Sequence, residues 1–211
     1  MTREQFNEIK ERLAKYREIR HLTYENQQEA FLGNAFEKIS EYFKAKDDLQ
    51  RVKVLCGIAI LYLNSFNIRY KKYKELKKYY FAESVVFKIY SFISETDDLL
   101  DDSSNKYLYH LIYILECISF RLNFDFYKCM IETIKEIESR TGYYDDKLKK
   151  FVKDEGAYTE DEAWILALKN DKNALLEFRP NELIGAPEDT WGFANVYIKK
   201  WYKADYEGCK L

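Results

Sequence analysis

Chain-breaking residues are scarce in this sequence: Pro180 and Pro187 are its two prolines, and seven glycines are spread over 211 residues. Proline removes a backbone donor and glycine supplies the left-handed conformations of tight turns, so a sandwich or barrel needs many of both. A chain so poor in them folds mainly as helices. Apolar spacing agrees over the stretch from Phe31 to Phe66. Phe36, Ile39 and Phe43 recur three and four apart, and Val52, Leu55, Ile58 or Ala59, and Tyr62 or Leu63 do so again. Each set lays one apolar stripe along a helix. Lys46, Asp47 and Asp48 between them offer nothing to bury, so the chain reverses there and the stripes meet in an antiparallel helical hairpin.

Composition narrows the class further. The chain is 47% apolar and 17% aromatic, with 19 Tyr and 14 Phe, which excludes disorder and implies a core closed by large rings. Its length suffices for one large domain, or for a core with an elaboration. Lys and Arg number 34 against 36 Asp and Glu, a net charge of −2. No global field therefore drives the protein onto nucleic acid or an anionic membrane. The first residues, MTREQFNEIKERL, lack the apolar centre of a signal peptide, and no run approaches the length of a membrane span. A cytoplasmic location is expected.

Cys56, Cys117, Cys129 and Cys209 are widely scattered, a spacing that fits neither a zinc motif nor a disulfide framework. Free thiols are expected, three of them on helix faces. His21 and His110 leave little room for a histidine metal site or a catalytic triad.

Taken in order, Phe6, Ile9, Leu13, Tyr16 and Ile19 predict a surface helix over 3–20, and Thr23 to Ala30 lead into the hairpin, with a local irregularity expected at Gly33-Asn34. After Phe66 the stretch IRYKKYKELKKYY interleaves lysine and tyrosine. It reads either as a base-stacking, phosphate-tracking surface or as a helix end whose lysine stems cover inward tyrosines, and the uniform tyrosine richness of the chain favours the second. Val85, Val86, Ile89 and Phe92 or Ile93 predict another helix over 81–93. The acidic run from Glu95 to Asp102, ending at Ser103-Ser104-Asn105, lacks the Gly and final Glu of a calcium loop and reads as a solvated, capped connection. Leu108, Leu111, Ile112, Leu115, Ile118 and Leu122 form a broad stripe on a further helix that also carries Glu116. Towards the end, Thr159-Glu160-Asp161-Glu162 is a capping-box pattern opening a short helix to about Leu168. ALLEFR and WGFANVYI then alternate as two strands of a small sheet, a candidate hairpin.

The hairpin resembles the MazG-like, all-α nucleoside triphosphate pyrophosphohydrolases of phage and bacterial type. In that family a doubled glutamate and a third glutamate one turn later face a Glu-x-x-Asp on the second helix, and four carboxylates hold magnesium. Here Glu37-Lys38-Ile39-Ser40-Glu41 falls on the first half and Lys53-Val54-Leu55-Cys56-Gly57 on the second. Lys38, Glu41, Val54 and Gly57 then occupy the ligand positions, so Glu41 is the one acid among them, with Glu37 beside it. Magnesium takes oxygen ligands and a triphosphate needs its charge neutralised before water attacks, so the resemblance implies a scaffold whose metal site is degenerate. Two later segments are also similar to the family. Glu136-Ile137-Glu138-Ser139-Arg140 and Lys149-Lys150-Phe151-Val152-Lys153-Asp154 match the region after its helical core, with Glu138, Lys149 and Phe151 departing from it. Trp201-Tyr202-Lys203-Ala204-Asp205-Tyr206 matches its tail.

The resemblance implies a MazG-like helical bundle over 1–154 including the post-core loop, and a small α/β elaboration over 155–211 whose tail returns to the core. It makes Asn26, Gln27 and Asn34 candidates for the nucleotide base, and Arg140, Lys150, Lys153 and Lys203 candidates for its phosphates. Three functions follow from it. The first is a catalytically silent binder of a nucleotide or nucleotide-derived ligand, needing no cofactor. The second is a protein-interaction module on the same scaffold. The third is an active pyrophosphohydrolase in which Glu37 and Glu41 hold Mg²⁺ with an acid from elsewhere, such as Glu116 or the run from Asp97 to Asp102. A homodimer or homotetramer is expected in each case, with no membrane and no nucleic acid as partner.

Overall fold

A computed structural model describes residues 1–72, 105–170, 175–180 and 195–211. The expected helix over 81–93, the acidic run and most of the lysine–tyrosine stretch lie outside the described residues. The fold is mainly helical, and contacts divide it into two units, residues 1–134 with 205–211 and residues 135–204.

In the first unit α1 (Arg3–Ile19) opens with a capping box, Thr2 accepting from the Gln5 amide and the Gln5 side chain accepting from the Thr2 amide. Phe6, Ile9 and Leu13 are buried as the spacing predicts, but Ile19, expected on the same stripe, is exposed in the last turn. α2 (Tyr24–Lys44) and α3 (Asp48–Ser65) form the predicted hairpin. Asp47 ends the reversal by capping α3, its carboxylate accepting from the Gln50 amide at 2.7 Å. The pairing is antiparallel: Phe31 of α2 packs edge-on against Phe66 at 5.2 Å and Gln28 donates to the Ser65 carbonyl, while Lys38, two turns on, lies over Gly57.

α3 is enclosed on nearly every side, with Val52, Val54, Leu55, Cys56, Ile58, Ala59, Tyr62 and Leu63 all buried. α2 is rotated relative to the expected stripe. Its buried residues are Phe31 and Ala35, in line with half-buried Gln28, Lys38 and Tyr42. Phe36 and Phe43 point outward instead, 43% and 67% exposed. Both rows repeat four and three apart, and sequence spacing favours the more apolar one, whereas the chain turns the row with the lysine inward. The irregularity expected at Gly33-Asn34 is also corrected, because α2 runs unbroken through both residues.

α4 (Asn105–Arg121) buries Leu111, Ile112, Leu115 and Ile118, and α5 (Phe126–Ser139) follows after a tight link in which Asn123 takes positive φ. The segment 205–211 returns to this unit. Lys210 bridges Phe124, the Asp125 amide donates to the Cys209 carbonyl, and the hydroxyls of Thr133 and Tyr206 bond at 2.9 Å. All four cysteines are free and buried, as expected, and Cys129 lies within hydrogen-bond reach of Cys56 and Cys209. Burial holds the Cys117 thiol up at about 11 and the Cys209 thiol up at about 12.

In the second unit β1 (Gly142–Asp145) and β2 (Lys150–Lys153) make an antiparallel hairpin where a loop was expected. The capping residue Thr159 opens α6 (Glu160–Asn170), accepting from the Glu162 amide while the Glu162 carboxylate accepts from the Tyr158 amide. β3 (Gly156–Ala157), β5 (Asn195–Lys200) and β4 (Leu175–Pro180) form a sheet in that order. Here the candidate hairpin is corrected: β4 and β5 run parallel, Leu175 beside Asn195 through Pro180 beside Lys200. Parallel neighbours need a crossover, which the 14 residues between Pro180 and Asn195 are long enough to make. Ala163 and Ala167 of α6 bury against Ala157 and Ile198, small side chains letting the helix lie close to the strands.

Candidate functional site

Residues 38 and 41 are one helical turn apart, so the inward rotation of α2 carries Lys38 to the hairpin seam and leaves Glu41 at its edge. The Lys38 ammonium donates to both Glu41 oxygens, at 2.8 Å and 2.7 Å. Across the seam stands Gly57, where a Cβ would lie 3.5 Å from the Lys38 Cδ. The lysine stem therefore runs over a backbone that offers no side chain. Val54, one turn earlier on α3, is buried and apolar. Lys38, Glu41 and Gly57 are thus brought together, whereas Glu37 and Asn34 are exposed elsewhere on α2.

Magnesium does not fit this set. Of the four candidate positions one supplies a carboxylate, and that carboxylate already holds an ammonium, while valine and glycine supply no side-chain oxygen. Among the described residues no group of three or more His, Cys, Asp or Glu is placed to hold a metal ion. Glu116, a candidate replacement acid, is engaged by the Met1 ammonium; the run from Asp97 to Asp102 lies outside the described residues. Side chains of the Lys38–Glu41 pair are 34% and 42% exposed. An ion pair so open to water contributes about 0.2–1 kcal/mol, so an incoming anion or cation displaces it at low cost.

Arg140 is held differently. Its Nη2 donates to Glu136 Oε1 at 2.5 Å and to the Tyr158 hydroxyl. The Tyr158 hydroxyl donates in turn to the same carboxylate oxygen at 2.9 Å, and the Ala204 amide donates to the other at 3.2 Å. Its guanidinium lies 5.6 Å and 5.8 Å from the ring centres of Tyr158 and Trp201. Burial, and then the bond to Glu136, raise the Tyr158 hydroxyl above its ordinary range. Ser139 adds a further stitch by accepting from the Tyr202 amide at 2.9 Å. Gly156 completes the packing, since a Cβ there would come within 2.2 Å of the Trp201 indole nitrogen. The Glu-Ile-Glu-Ser-Arg and Trp-Tyr-Lys-Ala segments therefore share one structural role, joining the end of α5 to the segment that follows β5.

Of the other candidate phosphate ligands, Lys150 and Lys153 are exposed at the two ends of β2, and Lys203 is exposed in the segment after Trp201. Asn26 and Gln27 serve the start of α2: the Asn26 side chain accepts from the Thr23 amide and from the Gln27 side chain. Sequence reasoning passed over Tyr158, and also Lys199, whose ammonium donates to Thr141 and lies 3.9 Å from Asp154. A signal for Tyr158 exists in its position just before the Thr159 cap, but 19 tyrosines mask it. No known protein family, curated protein or solved structure matches this chain.

Proposed function

We propose that this chain is a MazG-like protein that binds a nucleotide or nucleotide-derived ligand without metal-dependent hydrolysis. The observation that carries this reading is the Lys38–Glu41 pair lying over Gly57. An ammonium at the hairpin seam supplies fixed positive charge to a phosphate, as a cation would. It does not lower the pKa of a bound water or polarise a phosphoryl oxygen as a divalent metal does. Binding is thereby kept and water activation lost. Release of Lys38 from Glu41 costs little, so a ligand phosphate competes for it, and exposed Lys150, Lys153 and Lys203 are further cations of use to an anion.

Turnover is tested with canonical and deoxynucleoside triphosphates in Mg²⁺ or Mn²⁺, where no pyrophosphate or monophosphate release is expected. Equilibrium dialysis in a chelator then checks for binding, with Lys38→Ala expected to weaken it about tenfold through loss of a charge-assisted bond. Metal-dependent pyrophosphate release that Glu41→Ala abolishes overturns the reading in favour of an active hydrolase.

A second reading, a protein-interaction module, draws on one feature of the second unit. Trp164, Ile165 and Leu168 are all exposed on one side of α6, 40%, 57% and 51% respectively. Retention of one stoichiometric protein partner, lost in Trp164→Ala, together with indifference to every nucleotide, is the outcome that favours it.

A further inference from the structure

Three of the four thiols meet at one place in the first unit. Cys129 of α5 lies within hydrogen-bond reach of Cys56 on α3 and of Cys209 in the segment 205–211, and all three are buried. Backbone bonds fix Cys209 against the start of α5: the Asp125 amide donates to the Cys209 carbonyl at 2.9 Å, and the Cys129 amide donates to the Asp125 carbonyl at 3.0 Å. Tyr206 adds a second tie. The Thr133 hydroxyl donates its hydrogen to the Cys129 carbonyl at 2.7 Å, so the Tyr206 hydroxyl is the donor in its bond to Thr133. Cys117 is buried too, but Tyr113 and Glu116 stand beside it rather than another cysteine.

The clustered thiols are enclosed in different ways. Cys56 sits in the middle of α3, with buried apolar residues before and after it. In the segment 205–211 Tyr206 and Cys209 are buried and the other residues are exposed. Two buried side chains and one 3-10 turn, Glu207–Cys209, are a small hold, so this segment opens locally more often than α3 or α5 unfolds.

We infer that Cys129 and Cys209 are a redox-sensitive pair, joined as a disulfide by exchange with a low-molecular-weight disulfide, and that the segment 205–211 is its gate. While the segment is docked the thiols are inert, because burial pushes Cys209 up to about 12, and the bond to Cys56, followed by burial, raises Cys129. Lifting the segment returns Cys209 to water as an ordinary thiol. Its thiolate attacks one sulfur of the reagent; the reagent S–S bond breaks, a mixed disulfide forms on Cys209, and the first reagent thiolate leaves and takes up a proton. As the segment returns, Cys129 attacks the Cys209 sulfur, its proton passing to the second reagent thiolate. The pair is thereby oxidised by two electrons and the reagent disulfide reduced to two thiols. Cys209 rather than Cys56 becomes the partner of Cys129 because a segment shifts to meet disulfide geometry more easily than two packed helices do. This pairing is independent of any nucleotide.

Incubation of the native full chain with oxidised glutathione, then alkylation in denaturant and non-reducing peptide mapping, tests it. One bridge, Cys129–Cys209, is expected, with Cys56 and Cys117 alkylated, and a dithiol reductant should reverse it. Cys209→Ser should leave Cys129 with neither bridge nor adduct, and Cys56→Ser should leave the bridge in place. Tyr206→Phe keeps the ring and removes its hydroxyl tie, so it should speed bridge formation about fivefold through easier opening. Four alkylated thiols, a Cys56–Cys129 bridge, glutathione held on Cys209 with no bridge, or a rate that Tyr206→Phe leaves unchanged overturns the inference.

Discussion

Two carboxylates in this chain each hold a cation one helical turn away, and the two pairs differ in almost every other respect. Glu136 is buried and takes Arg140, the Tyr158 hydroxyl and the Ala204 amide together, and the Arg140 guanidinium lies against two aromatic rings. Glu41 lies half in water and holds the Lys38 ammonium. The first arrangement commits the carboxylate to three donors and loses much if a member is removed. The second leaves both charges within reach of solvent, held by little energy. Fixed charge inside a fold is structural when every lone pair is satisfied, and available when it is matched by a single exposed partner.

Removing one member of the enclosed pair should give the largest effect. Arg140→Ala leaves the Glu136 carboxylate buried and short of its strongest partner, a loss of about 3 kcal/mol in the second unit. The three tryptophans, Trp164, Trp191 and Trp201, all belong to that unit. Urea unfolding followed by their fluorescence therefore reports it separately, and a shift under about 1 kcal/mol would put Arg140 in the same class as Lys38. Gly156→Ala attacks the same lock from its aromatic side. A methyl group there meets the indole at far below contact distance, so a loss of about 2 kcal/mol is expected in the same fluorescence transition.

Enclosure also sets the response to alkali. The buried thiols Cys117 and Cys209 keep their protons up to about 11 and about 12, against an ordinary value of 9.0. Between those limits the unfolded chain binds fewer protons than the folded one, so stability is intact below pH 9.0 and falls as pH rises above it. Helical circular dichroism during urea unfolding, repeated from about pH 8 to about pH 10.5, should show the midpoint falling, with a shallower fall in Cys117→Ala. The smallest effect belongs to the open pair. Lys38→Ala should change stability by less than about 1 kcal/mol in the same helical signal, and a larger loss would show that the pair is as structural as Glu136–Arg140.

What the sequence discloses follows the same division. α3 is legible because Val52, Leu55, Ile58 and Tyr62 are buried whichever face is taken as inner, so no rotation has to be chosen. α2 is not, because two seams share one period and the inner one contains Gln28 and Lys38; apolar spacing alone selects Phe36 and Phe43 and turns the helix the wrong way. Capping at Thr159 is local chemistry and reads directly, whereas the parallel pairing of β4 with β5 depends on a crossover that neither strand encodes. Glu37, Lys38 and Glu41 were singled out through the resemblance of the hairpin alone, and of the three the structure joins Lys38 with Glu41. The partnership of Glu136 and Arg140 with Tyr158 and Trp201 was not, since residues 18 and more apart meet through the fold alone.

Melting of the purified protein against nucleoside mono-, di- and triphosphates and oligonucleotide signals, each with and without Mg²⁺, tests the central claim most directly. Binding through Lys38 and no metal predicts a rise in melting temperature that grows with the logarithm of ligand concentration, is the same in a chelator, and shrinks in Lys38→Ala. A shift that requires Mg²⁺, or none with any nucleotide, would contradict it.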